Sequence, residues 1–443
     1  MRASHDLSRV LVGFDEPNLV PCAGLLAPAL LAQRTGLAEL VESRVHLQSH
    51  GAHGGTKALT VIGAVLAGGD SIDDTALLRA GAAGQVFNAT RAPSTVGTWL
   101  RSFRWHNIRQ LDAVSREFLK RLWAAGGGPA DLTGPLTIDL DSTIVPVYGR
   151  AKQGAAFGYT KTRGYHPQLA TLAQSGQVLF SRLRGGSAGA ARGAKSFLTE
   201  TISRTRHAGA SGQLTVRADS AFYSKDVLLT ARKLDVRFSI TVRQDPKIKA
   251  AIAAIPDDAW TPIPYWLSTP EVSSADVAEA TYTCFAHTKT PVTVRLIVRR
   301  VRPTPGSQLA LFTTYDHHAF VTDRVGDFTE LEADHRRHAV VEQTIAELKS
   351  AGLAHLPSGR FTANAASLAL AAMAHNLGRA VGILAGHGLA RATTATLQRT
   401  LFTIPGRLVH TARRLRLRLP AIWPWADAFT HALTAITALP RHG

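Results

Sequence analysis

Helical spacing of apolar residues is most evident near the two ends of the chain, and short β-branched runs are most evident in its middle. Residues 1–130 are predicted to be mostly helical, with stretches at Leu59–Leu66, Asp74–Leu78 and Leu111–Ala124. Ser94 lies where a hydroxyl can cap a new helix. The run Gly126-Gly127-Gly128-Pro129 predicts a linker after this helical region.

From Pro135 the pattern changes to strands. The predicted elements are a strand Leu136–Leu140, a hairpin of Gln168–Leu172 and Val178–Leu183, a helix Ala191–Thr205, a strand Leu214–Ala218, a helix Lys225–Leu234 and a strand Arg237–Val242. Three antiparallel strands followed by alternating helices and strands predict a mixed α/β sheet.

A β-rich segment is predicted from about Pro246 to Arg324. Its predicted strands are Thr281–Phe285, Val292–Val301 and Leu309–Tyr315, with a turn at Thr304-Pro305-Gly306. A helical region follows from Glu330 to about Leu384, and Arg413–Leu419 alternates arginine with leucine. These changes predict five regions: residues 1–130, 131–245, 246–325, 326–385 and 386–443.

The 443-residue chain carries a formal net charge of +18 and is 45% apolar, enough to bury a large core. Between Asp141 and Asp219 there are eleven Lys and Arg residues against one acid, and from His387 onward eight Arg against one acid. Arginine-rich composition alone predicts a more even spread. The clustering therefore favours a polyanionic partner such as DNA, bound in a salt-dependent way.

The cellular location is predicted from the lack of recognisable disulfide, signal-peptide and membrane-span patterns in the sequence. Cys22 and Cys284 have no metal-ligand spacing and suggest no disulfide framework. The apolar stretch Leu19–Ala32 contains prolines and follows two acids, unlike a signal peptide. The apolar run Ala365–Ala374 is short for a membrane span. We expect a cytoplasmic, nucleoid-associated protein that does not enter a membrane.

Three acids in different settings are the main candidates for chemistry. Asp141 and Asp219 each follow a predicted strand, in LTIDLDSTIV and LTVRADSAFYS, and Glu342 lies in the helical pattern of HRRHAVVEQTIAELK. Carboxylates from separate elements suit Mg²⁺, which takes oxygen ligands and leaves positions for substrate phosphate. A pair of such ions can activate an attacking oxygen and stabilise a leaving one.

The predicted helix around Glu342 carries further polar residues. At a spacing of seven, His335, Glu342 and Lys349 would share one face, with His338 between them and with Val341, Ile345 and Leu348 buried. A solvated face is the simpler interpretation of this helix alone. Beside the two aspartates, the cluster favours binding of ions or phosphates.

Two other site chemistries fit parts of the sequence. His335, His338 and Glu342 could bind zinc, since imidazole and carboxylate at helical spacing suit that metal. Asp139-Leu140-Asp141-Ser142-Thr143 matches the DxDxT motif of haloacid-dehalogenase-type phosphatases, with Asp139 as nucleophile. The zinc site would leave Asp141 and Asp219 unused, and the phosphatase would not need the basic surroundings.

Several motifs in order resemble a bacterial DDE transposase of the insertion-sequence-1380 family. They are FDEPNLVPCAGLLAPALL, IDLDSTIVPVYG, Tyr165-His166-Pro167, RADSAF, VEQTIAELK followed by HLPSGRFTANAASLALAAMAHNL, and RLRLRLPAIWPW. The resemblance implies an α/β, RNase H-like mixed sheet with a β-rich insertion, preceded by a helical amino-terminal domain and followed by a mostly helical basic tail. It also implies that Asp141, Asp219 and Glu342 bind two Mg²⁺ ions, which Mn²⁺ could replace.

The resemblance further implies partners and contacts. The partners would be terminal inverted repeats and target DNA, bound by a homodimer. The expected DNA contacts are Lys349, His335, His338, Lys161, Arg163, His166, Arg182, Arg91 and Ser94. His335 and His338 stand where the family carries Tyr and Arg, so their role is open. The amino-terminal helices could read DNA or form a cap or dimer interface, and an inactive DNA-binding descendant is a further alternative.

Overall fold

Helices occupy most of the first 125 residues and the last third of the chain, and strands occupy most of the middle. A computed structural model describes residues 6–87, 90–158, 160–264, 272–303, 315–353, 355–411 and 414–441. The helices are α1 Leu26–Arg34, α2 Leu37–Arg44, α3 Gly54–Leu66, α4 Ala83–Val86, α5 Pro93–Arg101, α6 Trp105–Ala124, α7 Ala194–His207, α8 Lys225–Lys233, α9 Pro246–Ala253, α10 Phe328–Arg336, α11 Val340–Lys349, α12 Phe361–Ala385, α13 Thr394–Leu397 and α14 Ala426–Ala438. The strands are β1 Leu19–Val20, β2 Leu136–Ser142, β3 Val145–Pro146, β4 Ala156–Phe157, β5 Arg163–Tyr165, β6 Gln168–Leu172, β7 Val178–Arg182, β8 Leu214–Ala218, β9 Arg237–Thr241, β10 Thr261–Ile263, β11 Val272–Cys284, β12 Val292–Pro303, β13 Asp316–Thr322, β14 Gly406–Thr411 and β15 Arg414–Arg418.

A nine-stranded sheet in the order β10-β11-β12-β13-β9-β8-β2-β6-β7 organises the middle of the chain. β2 pairs with β6 and β6 with β7 in antiparallel fashion, whereas β2, β8 and β9 are parallel neighbours. Strands β6 and β8 are buried along their whole length because side chains cover both faces. The predicted mixed α/β sheet is confirmed.

The predicted β-rich segment is also strand-rich in the structure, but it continues the central sheet. Strand β13 pairs with β9 through Val321 and Ile240, and β12 and β11 extend the antiparallel ladder outward. Short-range sequence patterns do not identify a strand's neighbours, so this continuation was not predictable from them. The predicted turn at 304–306 and all of the strand Leu309–Tyr315 except Tyr315 lie outside the described residues.

Helix α12 is the centre of the helical part of the protein and packs against α3, α6, α14 and β7. Its polar residues form hydrogen bonds with the β6–β7 hairpin. Asn376 accepts a hydrogen bond from the Val178 amide and donates to its carbonyl, both at 2.7 Å. Arg379 donates to the carbonyl of Ser175 at 3.1 Å. The amino-terminal helices and the sheet therefore share one continuous core.

Two predictions for the amino-terminal region need correction. The glycine run is tied to the sheet: Gln177 donates to the carbonyl of Gly127 and accepts from the Trp123 indole, both at 2.9 Å. It is therefore not a free linker. Ser94 is exposed and is not the helix cap, because α5 begins at Pro93, whose fixed φ suits a first helical position.

The helix predicted to carry His335, Glu342 and Lys349 on one face is broken into two. A 3₁₀ turn at Arg337–Ala339 separates α10 from α11. The tighter turn changes the register, so His335 belongs to one helix and Glu342 and Lys349 to the next. The buried stripe Val341, Ile345 and Leu348 on α11 is confirmed.

The carboxy-terminal region is mixed in structure, not mostly helical as expected. β14 and β15 form a three-stranded sheet with β1, which joins the two ends of the chain. Arg414, Arg416 and Arg418 on β15 are exposed.

Helix α12 is long and apolar enough to cross a membrane by length and composition. However, 89% of its most apolar window is buried inside the protein. Its apolar character is accounted for by its central position in the core.

Candidate active site

Strands β2 and β8 bring the two aspartates to the same edge of the sheet. In their parallel register Asp139 lies opposite Arg217 and Leu140 opposite Ala218. Continuing this register places Asp141, at the end of β2, beside Asp219, directly after β8. Neighbouring strands are about 4.8 Å apart, and alternate residues point to one face. The two carboxylates are therefore neighbours at this edge.

The charges of this aspartate pair are only partly compensated. Burial raises the pKa of Asp141 to about 6, and the nearby carboxylates of Asp219 and Glu342 add to the rise. Burial also raises the pKa of Asp219. The backbone amides of Ser142 and Ala221 donate to the two side chains, at 2.6 and 3.1 Å. The pair would gain from a bound cation.

Helix α11 brings Glu342 and Lys349 toward the aspartates. Glu342 lies in its first turn and is exposed, and its charge acts on Asp141. Lys349 is its last residue; burial lowers the pKa of this amine, while the Asp141 carboxylate opposes the shift. We call Asp141, Asp219 and Glu342 the carboxylate edge.

The donor set of the carboxylate edge suits a hard divalent cation. Among the described residues, no three His, Cys, Asp or Glu side chains are close enough to form a metal site. Mg²⁺ commonly uses only one or two carboxylates, together with water and substrate phosphates. The desolvated pair Asp141 and Asp219 fits that pattern, and Glu342 lies within electrostatic reach but outside coordinating position.

A second set of charges lies directly below the carboxylate edge. Arg217 donates from Nε to Asp139 Oδ1 at 2.7 Å and from Nη2 to Oδ2 at 2.9 Å, and both residues are buried. Arg217 Nη1 also donates to the backbone and carboxylate oxygens of Asp334 on α10. We call Asp139, Arg217 and Asp334 the buried ion-pair layer. It connects β2, β8 and α10.

His338 connects the two sets of charges. Its Nδ1 lies 3.0 Å from Asp139 Oδ1, and its proximity partly opposes the rise that burial causes in the pKa of Asp141 and of Asp219. The 3₁₀ turn between α10 and α11 carries this side chain. His338 therefore lies between the two layers, where it can position the carboxylates.

His335 has a packing role in place of the expected DNA contact. Its ring nitrogens lie 2.8 Å from Ser239 Oγ and 3.0 Å from Thr241 Oγ1, and its ring stacks on Phe320 at 4.0 Å. Burial holds the pKa of this imidazole well below its usual range. Both nitrogens are occupied, so neither phosphate nor zinc can use them, and the zinc site proposed for His335, His338 and Glu342 is wrong.

The phosphatase interpretation of Asp139 is also wrong. Asp139 is fully buried, and its two carboxylate oxygens accept from the Arg217 guanidinium. A nucleophile must reach its substrate, and this carboxylate cannot. Asp141, two residues on, is the one that faces the open edge.

The other expected DNA contacts differ in accessibility. Lys161 is exposed in the loop before β5, whereas Arg163 donates to the backbone carbonyls of Gly149 and Arg150. His166 is buried, with Nδ1 2.7 Å from the carbonyl of Ala188.

Arg182 is half-buried over the rings of Phe180 and Phe197 and donates to Ser196. Arg91 is half-buried before α5, with its amide donating to Thr60, and Ser94 is exposed on that helix. Of the contacts expected outside α10 and α11, Lys161 and Ser94 are thus the exposed ones, and burial argues against His166.

Sequence reasoning missed Arg217 and Asp334. A signal for Arg217 was present: Asp139-x-Asp141-Ser142 and Arg217-x-Asp219-Ser220 share one spacing, with opposite charges at the first position. On paired parallel strands this spacing places an ion pair below two carboxylates. Asp334 carries no comparable signal, because its contact depends on how α10 packs.

The family described as "Transposase DDE domain group 1" matches residues 3–441, a span that includes all three carboxylates. No curated protein matches the chain. Among solved structures, the chain is similar to a piggyBac transposase in the structure titled "Cryo-EM structure of piggyBac transposase synaptic complex with hairpin DNA". The TM-score is 0.41 and the sequence identity is 11%, over 85% of this chain and 79% of that chain.

Proposed function

Because the chain belongs to the transposase DDE domain group 1 family, we propose that it cuts DNA at the ends of a mobile element and joins them to target DNA. The element would be a bacterial insertion sequence of the 1380 branch. The observation that carries this proposal is the partly compensated pair Asp141 and Asp219 at one sheet edge, with Glu342 and Lys349 close by.

Asp141 and Asp219 would hold divalent metal, Mg²⁺ or Mn²⁺, and Glu342 would complete the site. When bound, the metal supplies an activated water and neutralises charge on the phosphate. Lys349 would contact a phosphate near the cut, since its amine is already within reach of the Asp141 charge. His338 and the buried ion-pair layer would hold the two strands and the 3₁₀ turn in register.

The chemistry needs no covalent enzyme intermediate. In the first step a bond forms between water oxygen and phosphorus, the bond to the 3′ oxygen breaks, and that oxygen leaves as a hydroxyl. In the second step the freed 3′-hydroxyl attacks a target phosphodiester, and the 3′ oxygen of the target leaves with the proton. Positioning and charge neutralisation account for most of the catalysis in such phosphoryl transfers.

The DNA would be held by basic surfaces outside the site. Arg414, Arg416 and Arg418 are exposed at alternate positions of β15, so they share one strand face and suit a phosphate backbone. The amino-terminal helices, with Arg91 and Ser94, and the Lys161 loop would add contacts to the terminal inverted repeats. A homodimer would cut the two ends together.

The test is metal-dependent cleavage of duplexes that carry the inverted repeats flanking the gene. We expect cleavage with Mg²⁺ or Mn²⁺, a free 3′-hydroxyl and joined products, and none of these for Asp219→Asn. The matched control is Asp226→Asn, an acid in the first turn of α8. Equal cleavage by Asp219→Asn and the parent would reject the site.

An inactive DNA-binding descendant is the second candidate, and one observation favours it: Glu342 does not complete a three-ligand cluster among the described residues. This candidate predicts salt-sensitive binding to the same duplexes without cleavage. The experiment above separates the two, because binding and cutting are measured on one substrate.

A further inference from the structure

A polar cavity of about 700 Å³ lies at the far end of β2 from the carboxylate edge. It is enclosed by the start of β2, the β6–β7 hairpin, α10, α11, α12 and the segment after α12. Thr137 lines it, and Asp141 is four residues further along the strand, or about 13 Å at 3.3 Å per residue. Arg217 and Asp334 of the buried ion-pair layer also line the cavity, so this layer lies between the cavity and the carboxylate edge.

Three arginines in this cavity have no carboxylate at ion-pair distance among the described residues. Arg379 donates to the carbonyls of Ser175 and Ala392. Arg337, on the 3₁₀ turn, and Arg391 are exposed, and in the described part of the chain neither side chain makes a hydrogen bond or an ion pair. The cavity thus retains available guanidinium groups.

The acids that line the cavity are already engaged. Asp334 belongs to the buried ion-pair layer. Glu347 accepts from the Thr394 amide at 3.0 Å, from the Thr394 hydroxyl at 2.7 Å and from Gln343 at 3.2 Å. The remaining charge is positive, and it favours an anion.

A second polar cavity, of about 620 Å³, shows that arginines alone do not imply such a site. It is lined by Arg232, Arg237, Arg295 and Arg324. Arg232 donates to the carbonyl of Thr293, and the other three pair with Asp323, Glu279 and Asp334 respectively. Its guanidinium groups are satisfied within the protein, unlike those of Arg337 and Arg391.

We propose that Arg337 and Arg391, beside the buried Arg379, form a phosphate-binding pocket for a nucleotide-sized ligand. Guanidinium forks match phosphate oxygens in pairs, and the volume suits a nucleotide better than a bare phosphate ion. The phosphate has two possible sources, a DNA strand passing beyond the cut or a free nucleotide. Because Arg337 directly precedes His338, a bound phosphate would also hold the turn that carries His338.

The experiment measures binding in EDTA, so that it does not depend on the proposed cleavage. The probes are a fluorescent single-stranded hexanucleotide and a fluorescent ATP analogue, each competed with inorganic phosphate. The variant is Arg337→Gln with Arg391→Gln. The charge-matched control is Arg109→Gln with Arg237→Gln, two exposed arginines that have partners. Thermal unfolding of both variants verifies that they fold.

We expect the pocket variant to weaken binding of one probe by at least about tenfold, the effect of losing a charged hydrogen bond. The control should change it less than about twofold. Loss of hexanucleotide binding alone identifies a DNA strand, and loss of nucleotide binding identifies a free nucleotide. If the two variants bind both probes equally well, the proposal is overturned, whether or not the protein cleaves DNA.

Discussion

Asp139 and Asp141 lie two residues apart on the same face of β2, yet their surroundings differ. Asp139, in the buried ion-pair layer, has both oxygens bound by Arg217. Asp141, in the carboxylate edge, has a backbone amide and neighbouring acids around it, and its pKa rises to about 6. The charge of the same residue type is therefore compensated in one layer and only partly compensated in the other.

The difference shows where this protein holds charge that is not fully compensated. A buried charge that is fully paired costs little, whereas like charges that are only partly compensated destabilise the fold until a ligand binds. The buried ion-pair layer keeps β2, β8 and α10 in place, so the carboxylate edge remains assembled despite its repulsion. The following predictions test this division of roles.

The largest effect is expected for Asp141→Asn. Cleavage should fall by at least about a thousandfold, since a metal ligand contributes several kcal/mol to transition-state stabilisation. In EDTA the variant should be more stable than the parent by about 1–2 kcal/mol, because the pKa shift reports a charge that folding disfavours. Urea unfolding measures this, and lower stability would contradict our account of the carboxylate edge.

Breaking the buried ion-pair layer should affect stability most. Arg217→Met leaves the buried Asp139 without its guanidinium partner, and we expect a loss of about 3–5 kcal/mol in the free energy of unfolding. The double variant Asp139→Leu with Arg217→Met should recover much of it. Arg407→Met, which removes a largely exposed pair with Glu16, is the control and should cost less than about 1 kcal/mol. Additive effects in the double variant would show that the pair is not coupled.

The stability of the metal-free protein should depend on pH through Asp141. The folded pKa of Asp141 is above its unfolded value of 3.8, so the folded state binds more protons between these values. Its contribution to the stability of the metal-free protein should therefore be full below pH 3.8 and lost as pH rises through about 6. The difference in unfolding free energy between parent and Asp141→Asn, measured from pH 4.5 to 8 in EDTA, should grow with pH. A constant difference would show that Asp141 titrates normally.

The smallest effect is expected at His338, between the layers. His338→Leu removes the contact with Asp139 and should lower the cleavage rate by about tenfold. His338→Asn keeps a donor near the Nδ1 position and should lose less. Single-turnover cleavage with both variants measures this. An equal loss in both would mean that bulk at this position matters more than the hydrogen bond.

Much of the fold was readable from local patterns. The strands of the core, the helices of the amino-terminal region and the buried face of α11 follow from alternation and helical spacing. The break between α10 and α11 was not predictable, because no proline or glycine marks Arg337–Ala339 in the sequence. The hydrogen bonds from Asn376 and Arg379 to the β6–β7 hairpin were also not predictable, since in the sequence these residues only interrupt an apolar run.

By itself the sequence determined which residues are acidic and basic, how they are spaced, and that Asp141 and Asp219 end strands of a mixed sheet. The tertiary structure alone decided that β2 and β8 are neighbours in a register that pairs Asp139 with Arg217. It also decided that His335 faces Phe320 while His338 faces the aspartates. The physical reason is that side-chain direction follows from local backbone geometry, whereas the partner that a charge meets depends on contacts between distant segments.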